Sequence, residues 1–288
     1  MTTAPKQIQG MTPSRDIFAH LVNVDRILAF GGTVTSAHRD IRNRWQQFTT
    51  VELHGMDRLR AAVIDGEGDL EEAYSDAIID HAADGRSQAI VNATIAREVL
   101  AALTTEYATT AASNYATAAD RYNSTAKRLS EALAITDPDA PEGEMIGVPR
   151  KISDAYLSVP LVVLELEQHL DDLALAARLA GVYNIADETM LLPLAARLGK
   201  LHRRRVWEAW QTSTGRAGRF GALIKAGATL AAPATVGDLQ PYREPEPIQV
   251  KQHRVEGAPR GTWEKIETDP EDEEFERANG LTSESVDA

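Results

Sequence analysis

The chain has 288 residues, a formal net charge of −13 and no cysteine, and is 43% hydrophobic against 25% charged. Folded units usually run about 100–200 residues, so this length makes one large or two small domains, and the apolar fraction excludes wholesale disorder. Without cysteine there are no disulfides, thiolate metal sites or cysteine nucleophiles; no run approaches the roughly 20 apolar residues of a membrane span, and the first 25 residues lack a secretory signal's basic head and apolar core.

Residues 1–13 read as a polar leader with two prolines. A helical region follows from Ser14, whose apolar positions Ile17, Leu21, Val24, Ile27 and Leu28 recur at spacings of three and four. Gly31-Gly32 breaks that helix, and Thr35 or Ser36 caps a second one through Ile41, Trp45, Phe48 and Leu53. Residues 65–84 hold eight acidic side chains and no Lys or Arg, and predict an acidic-faced helix carrying Leu70, Ala73, Tyr74, Ala77 and Ile78.

Residues 86–135 contain neither Pro nor Gly. A stripe runs through Val91, Ile95, Val99, Leu103, Tyr107, Ala111, Tyr115, Ala118, Tyr122, Ala126, Leu129 and Leu133. Its mean spacing exceeds 3.6, against a left-handed heptad seam. A continuous helix here is about 75 Å long, and a break near Ala111–Ser113 would fold it into a hairpin. Fourteen alanines allow close backbone approach, while Thr104, Thr105, Thr109 and Thr110 are poor helix formers that need packing to hold them.

Pro138, Pro141, Gly143, Gly147 and Pro149 mark a loop over residues 138–150. A second helical region spans 151–231. Ser158–Pro160 reads as a helix start, followed by apolar Leu161, Leu164, Leu166, Leu170, Leu173 and Leu175. Asp187 opens the next helix, with Pro193 in its first turns; 201–211 and 220–230 continue as helices. Residues 232–288 are Pro-rich, poor in aliphatics and acidic, and read as an extended tail. The expectation is an all-α fold: a bundle with one long Ala-rich helix or hairpin in an N-terminal region 14–137, a second region, and the tail.

No catalytic constellation emerges. Asp65-Gly-Glu67-Gly-Asp69 resembles a calcium loop but puts Leu70 and Asp76 where an EF-hand needs Gly and Glu, so an acidic first turn favoured by the helix dipole is the better reading. Asp80-His81 with Asp84 lacks partners, and His20, His38, His54, His169 and His202 fall into no ligand spacing. The His169–Asp172 pair shares a helix face and reads as a solvated contact. No phosphate loop or nucleophile elbow is present. A non-enzyme without metal or cofactor is expected.

Two basic features remain. Residues 25–45 outline a helix-turn-helix whose second helix carries His38, Arg39, Arg42 and Arg44, the candidate DNA contacts; any two helices joined through glycine give the same outline. Residues 197–225 hold Arg197, Lys200, Arg203, Arg204, Arg205, Arg216, Arg219 and Lys225 against Glu208 alone, interleaved with Trp207 and Trp210. This run is a candidate docking surface. Its complement is an acidic segment, such as the six acids of residues 269–276 from the same or a neighbouring copy. Phosphate backbone and a plain solvated face are the competing readings.

The Ala/Thr/Tyr segment TTEYATTAASNYATAADRYNSTAKRL, the lack of cysteine and the tail LQPYREPEPIQVKQHRVEGAPRGTW resemble structural and assembly proteins of tailed phages that infect actinobacteria. That resemblance implies a virion protein, such as a head–tail connector, capsid-associated protein or scaffold. It would act in the virion or in the host cytoplasm during assembly. The partners expected are copies of itself and other subunits, with nucleic acid as the alternative and no membrane. The alternative function is a DNA-binding packaging or regulatory protein.

Overall fold

A computed structural model describes residues 15–49, 55–66, 68–82, 85–212, 214–254 and 263–281. The leader 1–13, Leu53, Glu67, Asp84 and the side chains of Asp80, His81 and Val91 lie outside the described residues. The fold is all-α: 69% helical, with ten α-helices and short antiparallel strand pairs among the described residues. The chain divides into two compact units, 1–114 and 115–288.

The first unit contains α1 (Arg15–Ala29), α2 (Ser36–Thr49), α3 (Gly55–Arg60), a π-helical turn (Ala61–Asp65), α4 (Leu70–Ala82) and the first part of α5 (Gly85–Ile135). Helix α1 ends where Gly31 takes φ 101°, and Asn114 pins the turn by accepting from Thr33 N–H at 2.7 Å and donating to Thr33 O at 2.9 Å. Gly32 must be glycine for space, since a Cβ there would lie 2.4 Å from Ile27 Cγ2. Thr35 caps α2, its hydroxyl accepting from His38 N–H at 3.0 Å. Ile17, Trp45, Ala96 and Leu103 form a core with Leu21, Ile41, Phe48, Ile95, Val99 and Leu100 around it. Asp69 caps α4 by accepting from the N–H groups of Glu71 and Glu72, which accounts for the acids at that turn.

Helix α5 is continuous over 51 residues, with no break at Ala111–Ser113. From Leu103 to Leu129 every member of the sequence stripe is buried. Its threonines fold back onto the preceding turn, Thr104 and Thr105 donating to the carbonyls of Leu100 and Ala101.

The second unit packs the rest of α5 with α6 (Arg150–Leu179), α7 (Glu188–Ala195), α8 (Arg203–Gln211) and α9 (Gly218–Lys225). Strand β1 (Ala196–Arg197) pairs antiparallel with β2 (Thr229–Leu230). Tyr122, fully buried, donates to Ala195 O at 2.7 Å and ties α5 to the end of α7. Two expectations are corrected here. Helix α6 starts at Arg150, not Ser158, and carries Pro160 inside it. Proline lacks the N–H that would satisfy the Tyr156 carbonyl, and Arg216 Nη2 supplies a donor at 3.4 Å while its guanidinium lies 3.8 Å above the Tyr156 ring. The buried face of α6 also differs: Val159, Val162, Leu166, Leu170 and Leu173 point inward, whereas Leu161 and Leu164 are each 70% exposed.

The described residues of the C-terminal segment form regular structure where an extended tail is expected from the sequence. After 239–248, which lack regular structure, β3 (Gln249–Arg254) pairs antiparallel with β4 (Trp263–Thr268), and α10 (Pro270–Asn279) follows.

Candidate docking site on helix α8

Helix α10 is built to present acids. Asp269 caps it by accepting from Glu271 N–H at 3.0 Å, Pro270 occupies the first turn, and Glu271, Asp272 and Glu273 sit where the helix dipole favours negative charge. Gly280, at φ 69°, ends it.

Opposite lies the N-terminus of α8. Arg203 donates to Glu271 Oε2 at 2.5 Å and bidentately to Glu274 at 2.5 and 2.9 Å. Arg204 grips Asp269 through Nε and Nη2 at 2.5 and 2.9 Å and also reaches Glu246 O. Arg243 adds a second cation on Glu274 at 2.6 Å. Glu271 is 2% exposed and also accepts from Glu246 N–H at 2.9 Å, so its carboxylate is enclosed but fully engaged. Arg203 holds the Glu274 carboxyl down to about 2, and Arg204 lowers that of Asp269.

His202 joins the two helices from a buried position. Its Nδ1 accepts from Arg205 N–H at 3.4 Å, which leaves Nε2–H to donate to Asp272 at 2.9 Å. Phe275 packs against its ring at 5.5 Å. At the other end of α10, Lys200 Nζ caps the Ala278 carbonyl at 3.0 Å. The strand-free segment before β3 is fixed too: Tyr242 OH donates to Arg203 O at 2.7 Å, and its ring stacks on Trp207 at 5.7 Å. A cleft of about 400 Å³ remains between Leu198–Leu201, Tyr242 and Phe275.

The basic run therefore divides. Lys200, Arg203 and Arg204 meet α10, with Trp207 against Tyr242, while Arg197 and Arg205 are exposed. The remaining members face the helical body. Arg219 pairs with Glu167 and lies 4.2 Å above the Trp210 ring; Arg216 N–H donates to Asp139 at 2.9 Å, and Lys225 reaches the same carboxylate at 3.3 Å. Trp210 as a docking residue is corrected: it is 2% exposed, with Nε1 donating to Glu188 at 2.5 Å. It shares the inward face of α8 with Val206 and Ala209, while Trp207 is half-buried at the edge of that face.

The candidate DNA contacts also divide. His38 is 1% exposed, because positions 38, 41 and 45 share the inward face of α2. Its Nε2 lies 3.5 Å from His20 Nε2, and burial followed by the neighbouring His38 pushes His20 down to about 4. Arg42 is paired with Asp25 of α1, leaving Arg39 and Arg44 exposed. The exposed face of α2 keeps Arg39, Asn43 and Arg44.

One cluster is corrected and another escaped the sequence reading. His169 and Asp172 are buried, not solvated: Arg121 Nη2 donates to His169 Nε2 at 3.0 Å, which makes Nδ1–H the donor to Thr125 at 3.1 Å, and Arg121 also pairs with Asp172 at 3.4 Å. Burial and then Arg121 lower the His169 pKa. His169 and Asp172 stand at helical spacing, but their partners on α5, Arg121 and Thr125, lie over 40 residues away in sequence. The other cluster is His202, Asp269 and Asp272, whose ligand atoms lie within 4.8 Å of one another. Arg204 already occupies both oxygens of Asp269, so a metal ion would have to displace a bidentate ion pair.

Comparison of the chain with family models, curated proteins and solved structures gives no match. Among the described residues no helix is long and apolar enough to cross a membrane.

Proposed function

We propose that this protein is a non-catalytic assembly component that joins copies of itself or other subunits in a large complex, with its C-terminal segment as the strap that fastens them. The setting implied by the sequence resemblance is a phage particle, in a head–tail connector or capsid-associated role. The observation that carries the reading is the set of ion pairs on α10: Arg203 and Arg204 of α8, with Arg243 of the irregular segment 239–248, against Asp269, Glu271 and Glu274. A helix attached so largely by ion pairs can close on its own α8 or on that of a neighbouring copy, the exchange that links protomers at low cost.

Light scattering after size exclusion, at low and high salt, tests the strap. Assembled mass is expected to fall with salt and in an Arg203→Glu/Arg204→Glu variant. Adding Glu271→Arg and Glu274→Arg to that variant should restore it. A mass indifferent to the charge reversal refutes the strap, and a monomer under every condition refutes the assembly reading.

A further inference from the structure

The outer face of α6 carries a seam that the rest of the described residues leave uncovered. Arg150, Asp154, Leu157, Leu161, Leu164, Gln168 and Asp171 recur at spacings of four and three, the repeat that keeps one line of a helix facing a partner helix. Leu157, Leu161 and Leu164 at its centre are 61%, 70% and 70% exposed, and Arg150, Asp154, Gln168 and Asp171 at its ends are exposed as well. Isolated exposed leucines are ordinary; three in register on one helix, rimmed by charge, mark a contact surface.

We infer that this seam packs antiparallel against the same seam of a second copy, about a two-fold axis near Leu161. The charges select that occupant. The N-terminal end of the seam carries Arg150, which also pairs with Asp154 at 3.4 Å, with the exposed Lys151 beside it, and the C-terminal end carries Asp171. With the axis at the central leucine, residues whose numbers sum to about 322 face one another. Arg150 and Lys151 then meet Asp171 of the other copy, twice by symmetry, and Asp154 meets Gln168. A parallel pairing would set Arg150 on Arg150 and Asp171 on Asp171, which like-charge repulsion disfavours. A surface complementary to itself in one orientation is the requirement of an isologous interface. Three leucines per copy make a small contact, below the size of a permanent interface, so it works reversibly and in repetition.

This inference rests on the assembly reading and names the face and the partner; the α8–α10 ion pairs take no part in it. Because the chain has no cysteine, single cysteines report the contact in the full-length protein. Under mild oxidation Leu161→Cys should form a disulfide-linked dimer well above the level given by Tyr183→Cys, a control at an 86% exposed position. Asp154→Cys and Gln168→Cys should cross-link little alone and strongly when mixed. Self-cross-linking of each at the mixed level would overturn the antiparallel order. Leu161→Cys no better than the control, with Leu161→Glu leaving the sedimentation coefficient unchanged, would overturn the interface. That failure alongside an intact effect of Arg203→Glu/Arg204→Glu would remove this face and spare the strap. Circular dichroism on each variant shows that the helices are retained.

Discussion

Removing Arg203 is the sharpest perturbation the docking site offers. Glu271 is 2% exposed and Arg203 19%, so the Arg203→Ala change strands an enclosed carboxylate. Breaking a buried pair from one side costs about 3–5 kcal/mol, and partial exposure of the guanidinium argues for about 3. What still holds α10 is weaker: the Asp272 and Arg243 contacts are largely exposed and contribute about 0.5 kcal/mol each, leaving Arg204–Asp269 as the one well-enclosed pair among the described residues. The loss therefore falls on docking of α10 and not on the helical body. An isolated helix of ten residues is marginal in water, so undocking also unwinds it. Hydrogen exchange of the α10 amides should accelerate about 100-fold, since 1.4 kcal/mol is a factor of ten, while exchange in α6 stays as it was. Glu271→Gln keeps the acceptor for Glu246 N–H, leaves Arg203 on Glu274, and should cost about 1 kcal/mol. Combining the two should be milder than their sum by about 2 kcal/mol, because the stranded charge is gone. Exchange in α10 unchanged by Arg203→Ala would refute the reasoning, and additivity of the pair would show that carboxylate burial is not its source.

Four further outcomes follow from the packing. His20, His38 and His169 all have pKa values lowered by burial, so below 6.5 the unfolded chain binds more protons than the folded one; thermal stability should fall as pH drops from 6.5 toward about 4, where His20 itself titrates, and His20→Leu should flatten that fall. Glu274 and Asp269 act with the same sign in a lower window: their depressed pKa values stabilise the docked α10 above the ordinary carboxylate range, and this is lost as pH falls toward about 2, read as undocking of α10 in exchange experiments. Arg216→Ala should lower stability by about 1–2 kcal/mol in denaturant melts because the Tyr156 carbonyl loses its donor, and Pro160→Ala should recover most of that by restoring a backbone N–H. Gly32→Ala should cost about 1–3 kcal/mol through the clash with Ile27, a loss that a neutral melt would contradict.

The helices were legible where periodicity and turn chemistry agreed. Gly31-Gly32, Thr35 and Asp187 each act as their residue type implies, and the stripe from Leu103 to Leu129 is the buried face of α5. The misreadings share one cause. Pro160 looks like a helix start until Arg216, 56 positions later, supplies the missing donor to Tyr156. Leu161 and Leu164 look like core because leucine usually is, yet the phase of α6 is set by the larger set Val159, Val162, Leu166, Leu170 and Leu173. Both depend on contacts distant in sequence, which local propensity does not encode.

Charge was legible as a sum and not as a pairing. The excess of cations over residues 197–225 was plain, as was the acidic run at 269–276, and the two are complementary. What the count hid is that Arg216, Arg219 and Lys225 were already matched, to Asp139, Glu167 and Glu188 on elements that read as neutral or acidic in isolation. Of this run, the arginines that meet α10 are therefore confined to the N-terminal turn of α8, with Lys200 just before it. That narrowing bears on mechanism. A long basic face would suit a polyanion read along its length, with a steep salt dependence set by the number of phosphates contacted. Two arginines and a histidine at one helix end, spaced to meet Asp269, Glu271, Asp272 and Glu274 on successive turns of α10, suit a short acidic helix instead. Bidentate geometry then decides among anions, because the guanidinium forks of Arg203 and Arg204 each close on a carboxylate whose position the α10 backbone sets. Lysine at either position would keep the charge and lose that selection.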